Sequence, residues 1–244
     1  MSPLVGHFKR MLPRGLRPGL KRSLHVLHLN ASLSEDSVTS VVASGLLACL
    51  AQQTARVEMT HDIAYMPGAF AVTERDLWHP ELPRFCKTTM NASYRLLLGQ
   101  GQPGDDAHVA PIRALTTELM AADCVVISAP VWNHSVPYVL KQYMDCVVQP
   151  NMTYCNTTKR PFSEGKSVIL VTSAGGGGAD VPEHESAYGL VKAVFGRMGF
   201  NKGHVITIEG LKSPELRETR LESALAQAED VAACVAASAA TARA

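Results

Sequence analysis

The sequence lacks the short motifs that mark the commonest nucleotide and hydrolase sites. It has no G-x-x-x-x-G-K-[ST] loop, no G-x-G-x-x-G after its first apolar run, no H-E-x-x-H and no G-x-S-x-G. Nucleotide hydrolysis, a dinucleotide-binding first half, zinc-dependent proteolysis and α/β-hydrolase chemistry are therefore without support, and no metal site is expected.

Paired cysteines and long apolar runs are also missing. The six cysteines form no C-x-x-C pair, and a chain of 244 residues buries enough surface to do without disulfides. We expect reduced thiols in a reducing compartment. No run reaches the roughly 18 consecutive apolar residues of a membrane-spanning helix, and residues 1–22 lack the apolar core of a secretory signal. We expect a cytoplasmic protein with no membrane insertion.

Charge of either sign is not in excess. Lys and Arg number 23 against 22 Asp and Glu, a balance that argues against nucleic acid as a partner. Basic residues are nevertheless concentrated in residues 1–22, which hold no acidic residue. Two interpretations of this basic leader stay open: a disordered tail, or a transit peptide that would direct the protein to the mitochondrion. Residues 23–244 are predicted to form one domain.

Strand and helix patterns alternate along that domain. Apolar runs predict strands at residues 24–29, 56–63, 123–129, 167–172 and 204–208. Helical spacing predicts helices from residue 38 and over residues 110–122, 135–148, 187–198 and 214–237. Residues 64–106, with many Pro and Gly, predict an irregular segment with short helices. The alternation predicts a doubly wound α/β fold with a five-stranded parallel sheet of order 2-1-3-4-5 and helices on both faces.

Three loops of unusual composition follow the first, third and fourth predicted strands. In a 2-1-3-4-5 sheet these strand ends are neighbours, and ligands collect at that edge. The first loop, residues 30–40, is rich in hydroxyls and opens a helix, which favours a phosphate, although Ser34 or Ser37 acting only as a helix cap is the simpler alternative. The second loop contains Trp132, and the third is a glycine run that lets backbone approach a ligand closely. Together they predict a site for flavin mononucleotide, FMN.

The same residues carry a family resemblance. S-x-x-x-x-S-x-T after the first strand, A-P-V-W-N-H-S-V-P-Y-V-L-K-Q-Y-M-D at residues 129–145 and S-A-G-G at residues 173–176 resemble the FMN-dependent NADH:azo/quinone oxidoreductases, the azoreductase family. The resemblance covers nearly all of residues 24–230 and implies a flavodoxin-like fold. It also implies a set of FMN-binding residues: Ser32, Ser37 and Thr39 for the phosphate, and Pro130, Val131, Trp132, Asn133, His134, Ser173, Ala174, Gly175 and Gly176 for the ring.

The resemblance further implies an activity and an assembly. Family members take hydride from NADH or NADPH and pass it to a quinone or azo compound in a ping-pong cycle, so no side chain is assigned as a catalytic acid or base. The family works as a homodimer, for which Trp132, Tyr154 and Phe162 are candidate junction residues, with plain core packing as the alternative. A flavin-binding electron-transfer or regulatory module on the same fold is the alternative function.

Overall fold

The computed structural model describes residues 24–34, 36–60, 70–175 and 183–241. The basic leader, residues 1–22, lies outside the described residues, and so does Gly176 of the third predicted loop. All six cysteines lie within the described ranges, and each is a free thiol.

One parallel sheet forms the centre of the described structure. Its strands are β1 Leu24–Asn30, β2 Phe70–Asp76, β3 Cys124–Ser128, β4 Ser167–Ser173 and β5 Lys202–Ile208. They lie in the order β2-β1-β3-β4-β5, and every neighbouring pair is parallel. The predicted order is confirmed. Asn30 pairs with Ser128, and Ser128 with Val171, so the carboxyl ends of β1, β3 and β4 lie side by side.

Helices cover both faces of this sheet. They are α1 Val38–Thr60, α2 Lys87–Leu97, α3 Asp105–Ala121, α4 Tyr138–Val147, α5 Glu183–Gly196 and α6 Pro214–Thr241. Apolar residues of α3, α4 and α5 pack on one face, and those of α1 and α6 pack on the other. All five residues of β3 are buried as a result, as expected for a strand covered on both sides.

The face covered by α1 and α6 explains the alanine-rich C-terminal helix. Ala224, Ala228 and Ala232 recur every four residues along α6 and are fully buried. Helix α1 approaches so closely that a Cβ added to Gly45 would lie 2.7 Å from Leu225 Cδ2. By length and composition alone, residues 38–56 of α1 would suffice to cross a membrane. Their apolar face, however, belongs to the core of this domain.

The second strand lies later in the sequence than predicted. The prediction of a strand at residues 56–63 is wrong for its first five residues, because α1 continues to Thr60. Strand β2 instead lies inside the segment predicted to be irregular. It is at the edge of the sheet and ends in Glu74, Arg75 and Asp76, since charges on an edge strand discourage pairing with other chains. Such a strand lacks the apolar run that identifies a buried one.

The rest of that segment is also more ordered than its composition predicts. Helix α2 lies within it, and α3 begins at Asp105 rather than at residue 110. Arg95 of α2 donates from Nε to Asp105 Oδ2 at 2.9 Å, which joins the start of α3 to the preceding helix. Helix α3 thus begins with Asp105 and Asp106 in its first turn, and an ion pair holds that start against α2.

Candidate active site

Three loops meet at the carboxyl edge of the sheet, as predicted. The Ala31 N–H donates to the Ser128 carbonyl oxygen at 2.8 Å, which ties the loop after β1 to the end of β3. The Val131 N–H donates to the Ser173 carbonyl oxygen at 2.8 Å, which ties the loop after β3 to the end of β4. Pro130, whose ring fixes φ, precedes this second contact. The strand ends thus extend their pairing into the loops.

The loop between β1 and α1 is held by a chain of serine hydroxyls. Ser37 Oγ donates to Ser40 Oγ at 2.9 Å, and Ser40 Oγ donates to the Ser34 carbonyl oxygen at 3.0 Å. Ser32 Oγ lies 2.6 Å from Ser37 Oγ. A hydroxyl has one proton, and Ser37 gives its own to Ser40, so Ser32 donates to Ser37. Two of the three predicted phosphate residues are therefore in direct contact.

Ser37 also caps helix α1. Its Oγ accepts a hydrogen bond from the Ser40 N–H at 3.1 Å, and residue 37 directly precedes Val38, where the helix begins. The cap satisfies one of the N–H groups that the first helical turn leaves without an intrahelical acceptor. Ser37 is thus a helix cap, which both interpretations of this loop allow. It leaves the phosphate prediction open, because the N–H groups of Val38 and Thr39 belong to the same positive end of the helix dipole.

Thr39 links the first loop to the third. Its Oγ1 lies 2.7 Å from Ser173 Oγ, and the Thr39 side chain is buried. Only one of the two hydroxyl protons is used between these oxygens, so the other remains to be donated elsewhere. A predicted phosphate residue and a predicted ring-loop residue thereby share one hydrogen bond.

The groups assembled here fit a phosphate: the N–H groups of the first turn of α1, the unused proton of the Thr39–Ser173 pair, and the Ser32 hydroxyl, whose bond to Ser37 a phosphate oxygen can replace. Hydroxyls of Ser32, Ser37, Thr39 and Ser173 surround the first turn of α1, and the hydrogen bonds described above among them involve no carboxylate. Hydroxyl donors and a helix N-terminus together favour an anion. The residues present therefore suit the phosphate end of FMN.

The loop after β3 contains a two-residue turn. The Trp132 N–H donates to the Ser135 carbonyl oxygen at 2.9 Å, and the Ser135 N–H donates back to the Trp132 carbonyl oxygen at 3.1 Å. The two residues between them, Asn133 and His134, have φ of 49° and 62°. A type I′ turn needs positive φ at both positions, which Asn and His adopt more readily than most other residues. The predicted ring loop is thus held in one backbone conformation.

Trp132 belongs to an aromatic cluster, which we define as Trp78, Trp132 and Tyr138. The ring centroids of Trp78 and Trp132 are 5.9 Å apart, and those of Trp78 and Tyr138 are 5.4 Å apart. Trp78 Nε1 donates to the Ala31 carbonyl oxygen at 3.0 Å, which fixes the cluster to the first loop. Trp132 is 37% exposed and Tyr138 is 67% exposed. The cluster therefore presents flat apolar surface beside the site.

Trp78 is not among the residues predicted from the sequence. The reason is the misplaced second strand. With β2 ending at Asp76, Trp78 follows a strand at the same carboxyl edge as the three loops. An aromatic residue two positions after a charged edge strand is the signal that would have identified it.

The loop after β4 is described as far as Gly175. The Ala174 N–H donates to the Ile208 carbonyl oxygen at 3.0 Å, and the Gly175 carbonyl oxygen accepts from the Lys212 N–H at 3.3 Å. A Cβ added to Gly175 would lie 3.4 Å from Lys212 Cε, so this lysine side chain packs beside the loop. Lys212, which is not among the residues predicted from the sequence, brings a cation to the edge of the site.

A buried polar cluster lies beneath the first loop. His28 Nε2 is 3.0 Å from Ser128 Oγ, and Ser128 Oγ donates to Asn30 Oδ1 at 3.2 Å. Asn30 Oδ1 also accepts from the Ser32 N–H at 3.0 Å. Burial lowers the pKa of His28 below its ordinary value, and the Glu74 carboxylate, 3.7 Å from Nδ1, opposes this only in part. His28 is therefore neutral at neutral pH.

The three aromatic residues predicted for a dimer junction have different surroundings. Tyr154 is buried, and the Arg197 guanidinium lies 4.2 Å from its ring centroid, so packing within the chain accounts for it. Phe162 is 54% exposed, and Trp132 lies in the aromatic cluster. Two of the three, Trp132 and Phe162, thus keep exposed surface.

The chain is similar in sequence to a known family and to several of its members. A family model described as a flavodoxin-like fold matches residues 24–232. The FMN-dependent NADH:quinone oxidoreductase of Ralstonia nicotianae is 32% identical over 219 residues, covering 85% of this chain and 97% of that protein. FMN-dependent NADH:quinone oxidoreductase 2 of Xanthomonas euvesicatoria is 30% identical over 226 residues, covering 85% and 93%.

Solved structures share the fold. An azoreductase from Bacillus anthracis superposes with a TM-score of 0.69 at 24% identity, covering 86% of this chain and 98% of that one. An FMN-dependent NADH-azoreductase from the same species, in complex with FMN, gives 0.71 at 19% identity, covering 87% and 99%. The match over residues 24–232 and the relative that is 32% identical over nearly its full length establish that the chain belongs to the flavodoxin-like family of FMN-dependent NADH:quinone oxidoreductases.

Proposed function

We propose that this chain is an FMN-dependent oxidoreductase that uses NADH, or NADPH, to reduce quinones and azo compounds in a ping-pong cycle. The names of its relatives support the cofactor, the donor and the acceptors. The observation on this chain that carries the proposal is the meeting of three loops at one sheet edge, with hydroxyls at one end and a fixed backbone turn at the other.

The proposed cofactor contacts divide by loop. Ser32, Ser37 and Thr39 would hold the phosphate in different ways. The Ser32 hydroxyl would turn its proton from Ser37 to a phosphate oxygen, the Thr39–Ser173 pair would donate its unused proton, and Ser37 would act through its cap of α1, whose first N–H groups point to the phosphate. Residues 130–134 and 173–176 would hold the ring from two sides. When bound, FMN supplies hydride transfer between the nicotinamide and the acceptor.

The chain's own residues have three tasks in this scheme. They bind the cofactor, keep water from the reacting face, and place N–H donors at the ring edge where negative charge accumulates on reduction. We assign the last task to backbone N–H groups at Asn133 and at residues 175–176. The exposed faces of Trp132 and Tyr138 suit planar aromatic substrates, which stack on such rings.

The cofactor and the donor are tested by colour. The purified protein should be yellow, and anaerobic addition of NADH should bleach the oxidised flavin absorbance. A colourless preparation that does not bind added FMN would overturn the proposal. A yellow protein that NADH does not bleach, and that does not reduce a quinone, would instead be an electron-transfer or regulatory module.

The ping-pong order is tested by initial rates. If nicotinamide and acceptor occupy one ring face in turn, rates over a grid of NADH and quinone concentrations should give parallel double-reciprocal lines. Each substrate should also inhibit competitively against the other at high concentration. Intersecting lines would require a ternary complex and would overturn the single-face scheme.

We also propose a homodimer with Trp132 and Phe162 at its junction. Light scattering after size exclusion should give twice the mass of the 26.2 kDa chain, and Phe162→Glu should shift the mass towards that of the monomer.

For location we propose the cytoplasm, with the mitochondrion as the alternative if residues 1–22 act as a transit peptide. Imaging of fluorescent fusions with and without these residues distinguishes the two.

A further inference from the structure

We propose that His28 is a positioning residue for the cofactor phosphate: through Ser128 and Asn30 it fixes the backbone of Ser32, at the start of the first loop. His28 touches no part of the proposed cofactor site itself, and it lies two residues before the end of β1. The proposal rests on the proposed function, because it assumes that the first loop binds the FMN phosphate.

The direction of each hydrogen bond in this line follows from one fixed donor. A backbone N–H can only donate, so the group that accepts from Ser32 N must be the amide oxygen of Asn30. That oxygen cannot donate, so Ser128 Oγ gives its proton to Asn30. Ser128 has no second proton, so His28 Nε2 carries the hydrogen and donates to Ser128. The structure therefore assigns the Nε2–H tautomer to neutral His28.

The line continues beyond Ser32 to the helix. The Ser32 hydroxyl donates to Ser37, and Ser37 caps α1. A run of hydrogen bonds thus connects β1, β3, the first loop and the first turn of α1. A donor at position 28 orients the Ser128 hydroxyl, and its loss leaves that hydroxyl free to turn away from Asn30.

A nucleophilic role for the same residues does not fit their surroundings. Glu74, His28 and Ser128 lie in the order of an acid, a base and a hydroxyl nucleophile. However, Ser128 is fully buried and its proton points to Asn30, so no substrate reaches it and His28 cannot take that proton. Positioning is the role that the geometry supports.

The test compares two ligands that differ only in the phosphate. Apo-protein is titrated with FMN and with riboflavin, and binding is followed by quenching of flavin fluorescence. His28→Leu removes the donor and should raise the dissociation constant for FMN about five- to tenfold, the effect of one lost buried hydrogen bond. The constant for riboflavin should change less than about twofold, since riboflavin has no phosphate for the loop to hold.

Four further variants make the result specific. His28→Gln keeps an N–H donor at similar reach and should restore FMN binding. Ser128→Ala should weaken FMN binding as His28→Leu does. The double variant of His28→Leu with Ser128→Ala should bind FMN no more weakly than either single variant. His25→Leu is the matched control: His25 is on the same strand and bonds Thr73 Oγ1 at 2.9 Å, but it lies near the far end of β1. It should affect neither ligand.

Each outcome decides between the proposals. Equal weakening of FMN and riboflavin by Ser128→Ala, or unchanged FMN binding in it, overturns the positioning role, and this variant decides if His28→Leu does not fold. If Ser32→Ala also leaves the preference for FMN over riboflavin unchanged, the placement of the phosphate in the first loop is wrong as well. Suppose instead that Ser32→Ala reduces the preference for FMN over riboflavin while His28→Leu and Ser128→Ala keep it. In that case only the positioning role of His28 is wrong.

Discussion

The first and second loops of the site keep their shape by different means. The first loop depends on side chains: hydroxyls from Ser32 to Ser40 bond one another and cap a helix. The second loop depends on backbone: a turn with two reciprocal hydrogen bonds and positive φ at Asn133 and His134. Removing one oxygen atom therefore damages the first loop, whereas the second is damaged by a side chain that its backbone cannot accommodate.

The difference suits the two ends of the proposed cofactor. A phosphate takes hydrogen bonds from several directions, so a cluster of small hydroxyls can share it. A planar ring needs backbone laid along its edge, and this requires the chain itself to have one conformation. Four predictions test whether this contrast between the loops is real.

The largest effect is expected in the backbone-dependent loop. Asn133→Val places a β-branched residue at φ 49°, which costs on the order of 1–3 kcal/mol. Urea denaturation should show a free energy of unfolding lower by about 2 kcal/mol than in the matched Asn133→Gly variant, since glycine adopts this φ without strain. Equal stability of the two variants would mean that residue 133 does not have positive φ.

The next effect is expected in the side-chain-dependent loop. Ser37→Ala removes the cap of α1 and should lower the free energy of unfolding by about 1 kcal/mol. Together with Ser32→Ala it should also weaken FMN binding at least several-fold while the fold stays intact. Ser34→Ala is the control, because Ser34 Oγ is exposed and accepts only a 3.3 Å bond from the Asp36 N–H. If the double variant binds FMN as tightly as the parent, the loop is a helix cap and no more.

A smaller effect should appear where the first loop meets the third, which in turn contacts the second. Thr39 Oγ1 and Ser173 Oγ share one hydrogen bond, and Ser173 also accepts the Val131 N–H through its carbonyl oxygen. A double-mutant cycle of Thr39→Val with Ser173→Ala should give a coupling energy of about 0.5–1 kcal/mol in urea denaturation. The pair Thr39→Val with Ser135→Ala should be additive. Additivity in both pairs would show that the first and third loops are independent.

The smallest effect is on the pH dependence of stability, and it comes from His28, which lies beneath the first loop and not the second. Burial lowers the pKa of His28 in the folded chain, so the unfolded chain binds a proton at a higher pH than the folded one does. The free energy of unfolding should therefore fall as pH drops below the ordinary histidine pKa of about 6.5. His28→Gln should make this fall shallower, while Asn133→Gly should not alter it. Part of the fall should remain, because burial also lowers the pKa of His204.

Sequence patterns were sufficient for elements whose signal is local. The apolar runs of β1, β3, β4 and β5 and the hydroxyl-rich start of α1 each show in a few consecutive residues, and the structure confirms them. Strand β2 gave no such signal, because none of its residues is buried and its last three are charged, whereas β5, at the other edge, keeps Ile206 and Ile208 buried. Its misplacement also concealed Trp78, since a residue cannot be assigned to the site until the strand before it is known.

The amino-acid sequence by itself determined which segments are buried, where the helices follow the strands and which loops carry hydroxyls, tryptophan or glycine. These properties depend on neighbours in the chain. Only the tertiary structure decided that Thr39 meets Ser173, that Trp78 packs beside Trp132, and that His28 bonds Ser128 across 100 residues. Parallel strands are joined by long crossovers, so partners at the sheet edge are far apart in sequence, and their contacts exist only once the sheet has formed.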